Sequence, residues 1–425
     1  MLINPVKSWK GKLIGMKILK RVTAVLLTAV VAVSFTACGG RSEHAKKLNI
    51  DTAVSINIWY QDDAYTSYLD YIAQQFHKAN EFITVNPVKV EENNLLDAVY
   101  NGSIAQNNVA DVYLMLTDEL EKASMMGLTV ENSTYSDLYT QKNYGNSAIE
   151  AASYKGKLYG YPVTFDVPFL VYNKTVASSV ETFSQLIDYC HNYTVNDDNQ
   201  NIEQLVSWDV SDMLVNYGLV CGSVTIGGES GDDNTKLSAD KDLLKKSLTE
   251  FVKLRNEFGI VRTETTLDSC ADLFAQGKLA YTITDVSHIN TIAESGISYG
   301  VCSIPALSDD MQIENISENL CAFVNPYSSD VQTAKAVANA LSYDYAAAVN
   351  STTGLLSSRT ISINSKEYKD TYGKINEIYS EADDKAKFMG AAYFYTKFDI
   401  MLHQVWDGTD IETSVNSFLS ELKVK

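Results

Sequence analysis

The stretch VSINIWYQDDAYTSYLDYIAQQFHKANEFITVNPVKVEENNLLDAVYNGSIAQNNVADVYLML, residues 54–116, decides the fold class. Val54 to Trp59 alternates apolar and polar residues, the pattern of a half-buried strand. Tyr65, Tyr68, Leu69, Ile72 and Phe76 then recur at helical spacing. Val85 to Val90 predicts a second strand and Leu95 to Ile104 a second helix. Asp111 to Leu116 predicts a buried strand, followed by a short helix ending near Gly127. The order β-α-β-α-β implies an α/β fold with a mainly parallel sheet flanked by helices.

Working outward, strands are predicted at 158–163, 169–172, 279–283, 299–304 and 320–324, with helices between them. Leu244, Leu248, Phe251, Leu254 and Phe258 share one helical face, with Ser238 or Asp240 as N-cap. Val331, Ala334, Val337, Leu341 and Tyr345 share another. Residues 227–234 (GGESGDDN) predict a turn. The chain has 425 residues and only 6 prolines. That length accommodates two or three domains, and no Pro-rich or Gly/Ser-rich linker separates them.

The N-terminus carries an export signal. Lys17, Lys20 and Arg21 precede an apolar run from Val22 to Phe35, too short for a transmembrane helix of roughly 20 residues. Thr36 and Ala37 then lead into Cys38-Gly-Gly. This resembles a bacterial lipobox, with Phe35 standing where such motifs usually have Leu. Residues 1–37 are therefore assigned as signal peptide, Cys38 as the lipidated residue and 38–53 as a polar tether. The signal is complete from Met16 onward, which makes Met16 an alternative start.

The net charge is −19. Without the six basic residues of the signal segment, 28 Lys+Arg face 53 Asp+Glu, a balance of −25. Such a surface repels phosphate backbones and argues against nucleic-acid binding. Five cysteines remain after Cys38, at 190, 221, 270, 302 and 321; none forms C-x-x-C, so no zinc or redox site is expected. The five histidines are isolated, and no metal site or cofactor is expected. No H-E-x-x-H, G-x-S-x-G, Walker lysine loop or G-x-G-x-x-G is present. The pairs Asp62-Asp63 and Asp383-Asp384 read as solvated surface in so acidic a chain.

Rings and carboxylates do gather where strands end, the edge at which α/β sheets bind ligands. Trp59 closes the first strand and runs into Asp63. Asp118 follows the third strand. Tyr161 and Phe165 precede Asp166. Apolar ring faces suit the C–H faces of sugars, and carboxylates accept hydrogen bonds from hydroxyls. The same carboxylates also suit a cation.

Tyr154-Lys-Gly-Lys-Leu-Tyr-Gly-Tyr-Pro162 and Leu170-Val-Tyr-Asn-Lys174 resemble the most recognisable stretch of family 1 extracellular solute-binding proteins, the maltose/maltodextrin-binding type. Asp272 to Ile283 is similar to their F-x-x-G-K-x-A segment, and Tyr299 to Pro305 to their hinge strand. Ala334 to Gly354 resembles a helix pair of the family and Gly408 to Leu422 its C-terminal helix. The resemblance spans roughly residues 54–422.

It implies a two-lobed, type II periplasmic-binding-protein-like fold, each lobe a mainly parallel sheet flanked by helices, joined by a hinge. Lobe one falls at 54–164 plus 306–350, lobe two at 165–298 plus 351–425. It also implies an extracellular lipid-anchored protein, not an enzyme, that captures a carbohydrate and delivers it to the permease subunits of an ABC transporter. The implied protein is a monomer whose membrane contact is the lipid. The alternatives are a cationic solute such as a polyamine or amino sugar, and a secreted hydrolase. Carried over position by position, the implied ligand contacts are Trp59, Asp63, Asp118, Asp166, Trp208 and Tyr395. After Ile283 the family commonly has Gly-x-Trp; here Thr284-Asp-Val-Ser-His288 replaces it, which offers Asp285 in place of a ring.

Overall fold

The computed structural model describes residues 48, 50–91, 94–196, 199–220, 222–361 and 369–422. The export signal, Cys38, most of the tether and Cys221 lie outside the described residues. Among those that are described, no helix is long and apolar enough to cross a membrane.

The first strand, Val54–Tyr60, shows how the sequence sets the layers. Side chains alternate across a strand. Ile56, Ile58 and Tyr60 therefore pack into one core together with Tyr68, Leu69, Ile72 and Phe76 of the helix Thr66–Ala79. Trp59 points the other way, into a separate core with Leu96, Val99, Tyr113, Met115 and Phe323. The helix Leu95–Ala105 covers that second face, its start capped by the Asn94 side chain on Asp97 N.

Two sheets result. The first has seven strands among the described residues. Ile83–Lys89 and Val112–Leu116 pair in parallel on either side of Val54–Tyr60, as their β-α-β-α-β order dictates. Ile316–Val324 then runs antiparallel between Val112–Leu116 and Tyr161–Asp166. The second sheet has four strands in the order Tyr299–Cys302, Phe169–Asn173, Leu279–Thr284, Gln204–Val206, with only the last pair parallel. The mainly parallel pairing expected holds within the first three strands and, among the described residues, recurs only in two short pairs. Beyond them the sheets are mixed, because the strands that cross between lobes return antiparallel.

The chain passes between the sheets three times. Tyr161–Asp166 leads through Val167-Pro168 into Phe169–Asn173. Tyr299–Cys302 leads back to Ile316–Val324. Asp383–Asp384, paired with Ile316–Val324, leads into the helix Ala391–Trp406, which packs in the core of lobe two. Asp383–Asp384 and Leu356–Ser357 thus belong to the first sheet, as does Asp166. The sequence-based division, with lobe two at 165–298 plus 351–425, places these residues on the other side. Short strands of two residues leave too little periodicity to be read.

Lobe two is organised around the helix Lys241–Phe258. Asp240, one of the two candidate caps, accepts from Asp242 N and Leu243 N, and Gly259 ends the helix in the left-handed conformation. Residues 227–234 prove to be the tip of an antiparallel hairpin, Val224–Gly227 with Asp233–Ala239. The four described cysteines, 190, 270, 302 and 321, are free thiols.

Candidate functional site

A cleft of about 570 Å³ opens between the lobes. Its apolar floor comes from the first sheet and includes Tyr60, Leu114, Phe165 and Leu320, with Tyr65 and Leu95 beside them. Asp62, Asp118, Glu119, Asp166 and Glu318 border it, and Ser287 reaches in from lobe two. Tyr65 is fixed in place by a 2.7 Å hydrogen bond between its hydroxyl and Thr164 Oγ1.

The chemistry of the cleft is dominated by carboxylates. Asp118 follows the strand Val112–Leu116 and sits in a 3-10 turn, Thr117–Glu119. Its Oδ2 lies 3.2 Å from Lys385 Nζ, which also reaches Glu318 Oε1 at 2.5 Å. Burial pulls the Lys385 ammonium down, but the charges of Glu318 and Asp118 outweigh it and hold it above its ordinary range. Asp166 ends the strand Tyr161–Asp166, and its Oδ1 accepts from Val286 N of lobe two at 2.8 Å. Burial first, and then the charge of Asp285, push the Asp166 carboxyl well above the usual carboxylate range. Glu119 is also raised, chiefly by burial.

On the lobe-two side, Asp285 is buried and committed to its own turn. Its Oδ1 accepts from His288 N at 3.2 Å and lies 2.7 Å from Ser287 Oγ and 2.6 Å from His288 Nδ1. His288 Nε2 in turn lies 3.1 Å from Asp268. Hydrogen bonding to Asp285 raises the His288 pKa. Asp212 caps the helix Met213–Tyr217 by accepting from Val215 N, and burial together with Asp285, Asp209 and Glu318 pushes it up to about 6.

The sequence-derived contacts divide accordingly. Asp118 and Asp166 line the cleft. Asp285 stands behind Ser287 and holds its turn. Asp63 points outward to Lys89 at 2.8 Å, and its neighbour Asp62 takes the place at the cleft. Trp59 does not reach the cleft. It packs against the helix Leu95–Ala105, where a Cβ on Gly102 would sit 3.5 Å from its ring. Tyr60, one residue on and on the opposite face, is the ring at the cleft. Trp208 is fully buried in lobe two among Phe183, Phe258 and Trp406, with Nε1 donating to Asn216 Oδ1 at 2.9 Å. Tyr395 is buried too; its hydroxyl accepts from Ala386 N, and its ring lies 5.5 Å beneath the Lys385 ammonium. Asp384, read as surface, is buried beside Lys387 and pushed up to about 6, first by burial.

Sequence reasoning missed Tyr60, Glu318 and Lys385. Period 2 along Val54–Tyr60 was a usable signal for Tyr60. Glu318 and Lys385 come together through pairings across the sheet and carry no local signature.

A model of the family described as bacterial extracellular solute-binding protein matches residues 71–374. The chain belongs to that family. Its members are binding proteins that act outside the cell, and the cleft between two lobes is where this fold offers a ligand contact with both. The chain is 24% identical over 306 residues to a maltodextrin-binding protein of Bacillus subtilis (strain 168), with 69% of each chain covered. It is 22% identical over 324 residues to a galactooligosaccharide-binding protein of the same organism, covering 72% of this chain and 74% of that one. Among solved structures, a cyclo/maltodextrin-binding protein complexed with maltotetraose superposes with a TM-score of 0.73 at 18% identity, over 88% of this chain and 98% of that one. An extracellular solute-binding protein from Staphylococcus aureus in complex with maltose gives the same TM-score and coverage at 17% identity. These likenesses establish the two-lobed fold.

Proposed function

We propose that this solute-binding protein captures a carbohydrate of more than one sugar unit in its interlobe cleft and delivers it to the permease subunits of an ABC importer. The observation that carries the proposal is the cleft itself: an apolar floor with rings at Tyr60, Tyr65 and Phe165, bordered by carboxylates. Rings cover C–H faces while carboxylates accept from hydroxyls, the two demands a sugar makes. The volume lies within the range of small-molecule sites. The names of the Bacillus subtilis relatives, for maltodextrin and galactooligosaccharide, support the same class.

Asp118 and Asp166 are the sequence-derived contacts we retain as direct ones; Tyr60, Asp62 and Glu318 join them. Asp285 acts by positioning Ser287. Asp63, Trp59 and Trp208 are not retained, and Tyr395 acts through Lys385. The protein works without catalysis, as a monomer, held to the outer face of the cytoplasmic membrane by a lipid on Cys38. A solute touching both lobes binds the closed form better than the open one, and that difference drives closure. A thermal-shift screen against mono- and oligosaccharides, polyamines and amino acids tests the class. Stabilisation by an oligosaccharide is expected; stabilisation by amino acids alone would refute it.

A further inference from the structure

We propose that the captured solute carries a protonated amine, which sits against Asp166 at the junction of the two lobes. The inference rests on the interlobe cleft as the binding site and narrows the class of solute.

Asp166 and Glu318 are direct cross-strand partners on adjacent strands, and both line the cleft. Opposed side chains in such a pair project from the same face, and like charges placed so are destabilising. A counter-ion is present for only one of them. Lys385 serves Glu318, and Asp118 shares it. Among the described residues no cationic side chain pairs with Asp166, which accepts only from the backbone amides of Val286 and Val167. The charged and titratable groups facing Asp166 are Asp285 on the lobe-two turn, Glu318 on the neighbouring strand and Tyr65 beside the floor. His288, on the same lobe-two turn, is already held by Asp285 and Asp268. Asp212 feels the charges of the same Asp285 and Glu318.

An empty cleft of this kind holds more negative charge than it neutralises, so a proton or a ligand must supply the balance. A metal ion does not fit. Among the described residues no group of three or more His, Cys, Asp or Glu side chains could hold one. A protonated amine does fit. It donates in several directions, and the body attached to it can lie on the floor formed by Tyr60, Phe165 and Leu320. Amino sugars and polyamines share this chemistry.

The sign of the pH effect follows. Burial keeps a proton on Asp166 in the empty cleft more readily than on a free carboxylate. An arriving ammonium favours the ionised form and expels that proton. While the amine itself stays protonated, affinity for it should therefore rise with pH, whereas a neutral sugar donating only a hydroxyl should show a much smaller rise.

The test is calorimetry on the purified protein with glucosamine oligosaccharides, their N-acetylated counterparts, neutral maltodextrins and spermidine, between about pH 5 and about pH 7. We expect the amine form to bind at least about tenfold tighter than its acetylated counterpart, the effect of one charge-assisted hydrogen bond. The preference should shrink toward the lower pH and vanish in Asp166→Asn. If Asp166→Asn does not fold, Glu318→Gln should reduce the preference instead. Equal binding of acetylated and amine forms, or a preference that survives these substitutions, would overturn the proposal and leave the carbohydrate reading intact. Binding of spermidine with no sugar bound would uphold the amine and overturn the carbohydrate reading.

Discussion

Trp208→Ala separates a structural ring from a ligand-stacking one. Trp208 is fully buried and packs edge-on against Phe258 and Trp406 at centroid distances of 6.0 and 5.9 Å. Truncating a tryptophan in a core costs about 3–5 kcal/mol through lost transfer energy and the cavity left behind. The indole also donates to Asn216, whose amide donates to the carbonyls of Asp209 and Asp212. Leaving that buried acceptor unpaired adds about 1–3 kcal/mol, less whatever relaxation recovers. A loss of about 4–6 kcal/mol approaches the whole stability of an ordinary domain. Urea denaturation followed by tryptophan fluorescence and far-UV dichroism should therefore show lobe two unfolding at much lower denaturant. Trp208→Phe keeps most of the packing but loses the donor, and should fall between the two. Affinity for the solute should decline only as far as lobe two loosens. Unchanged stability together with abolished binding would refute the assignment of Trp208 to the core.

Other outcomes follow from the same geometry. Lys385→Met strands Asp118 and Glu318 without their shared cation; it should cost about 2–4 kcal/mol and abolish solute binding, measured by denaturation and calorimetry. Tyr395→Phe leaves Ala386 N without its acceptor, so a modest stability loss of about 1–2 kcal/mol is expected with affinity lowered less than tenfold. Asp212 and Asp384 both titrate near 6, above the ordinary carboxylate value. A raised folded pKa means stability present at low pH and lost as pH rises through about 6, so both groups favour the empty protein at pH 5 over pH 7. Asp212→Asn, which retains the helix cap, should flatten that part of the pH profile of the melting temperature. Cys38→Ala should release the protein from membranes or leave an unprocessed precursor, as fractionation would show. A mature acylated mutant in the membrane fraction would contradict lipidation at Cys38.

Much of the fold was legible because it is local. The face Tyr68, Leu69, Ile72, Phe76 and the strand alternation before it need nothing beyond periodicity, and both are in place. The Asp240 cap is a local hydrogen bond and was equally readable. The cleft was less so. Asp118 could be found because it directly follows a strand at the sheet edge where ligands gather. Trp208 and Tyr395 could not be told from stacking rings, since a buried and an exposed ring look alike in a sequence rich in both. Trp59 and Tyr60 differ by one position, which in a strand means opposite faces. Lys385 depends on the pairing of Asp383–Asp384 with a strand some 65 residues earlier, where Ser317 meets Asp384 (a separation of 67). Nothing near Lys385 in the chain announces its partners.

Small-angle X-ray scattering with and without a saturating solute tests the central claim most directly. Solute bound between the lobes should lower the radius of gyration as they close on it, and Asp118→Ala should abolish both the binding and the compaction. Saturable binding with an unchanged radius, and undiminished by Asp118→Ala, would place the ligand outside the cleft and contradict the account.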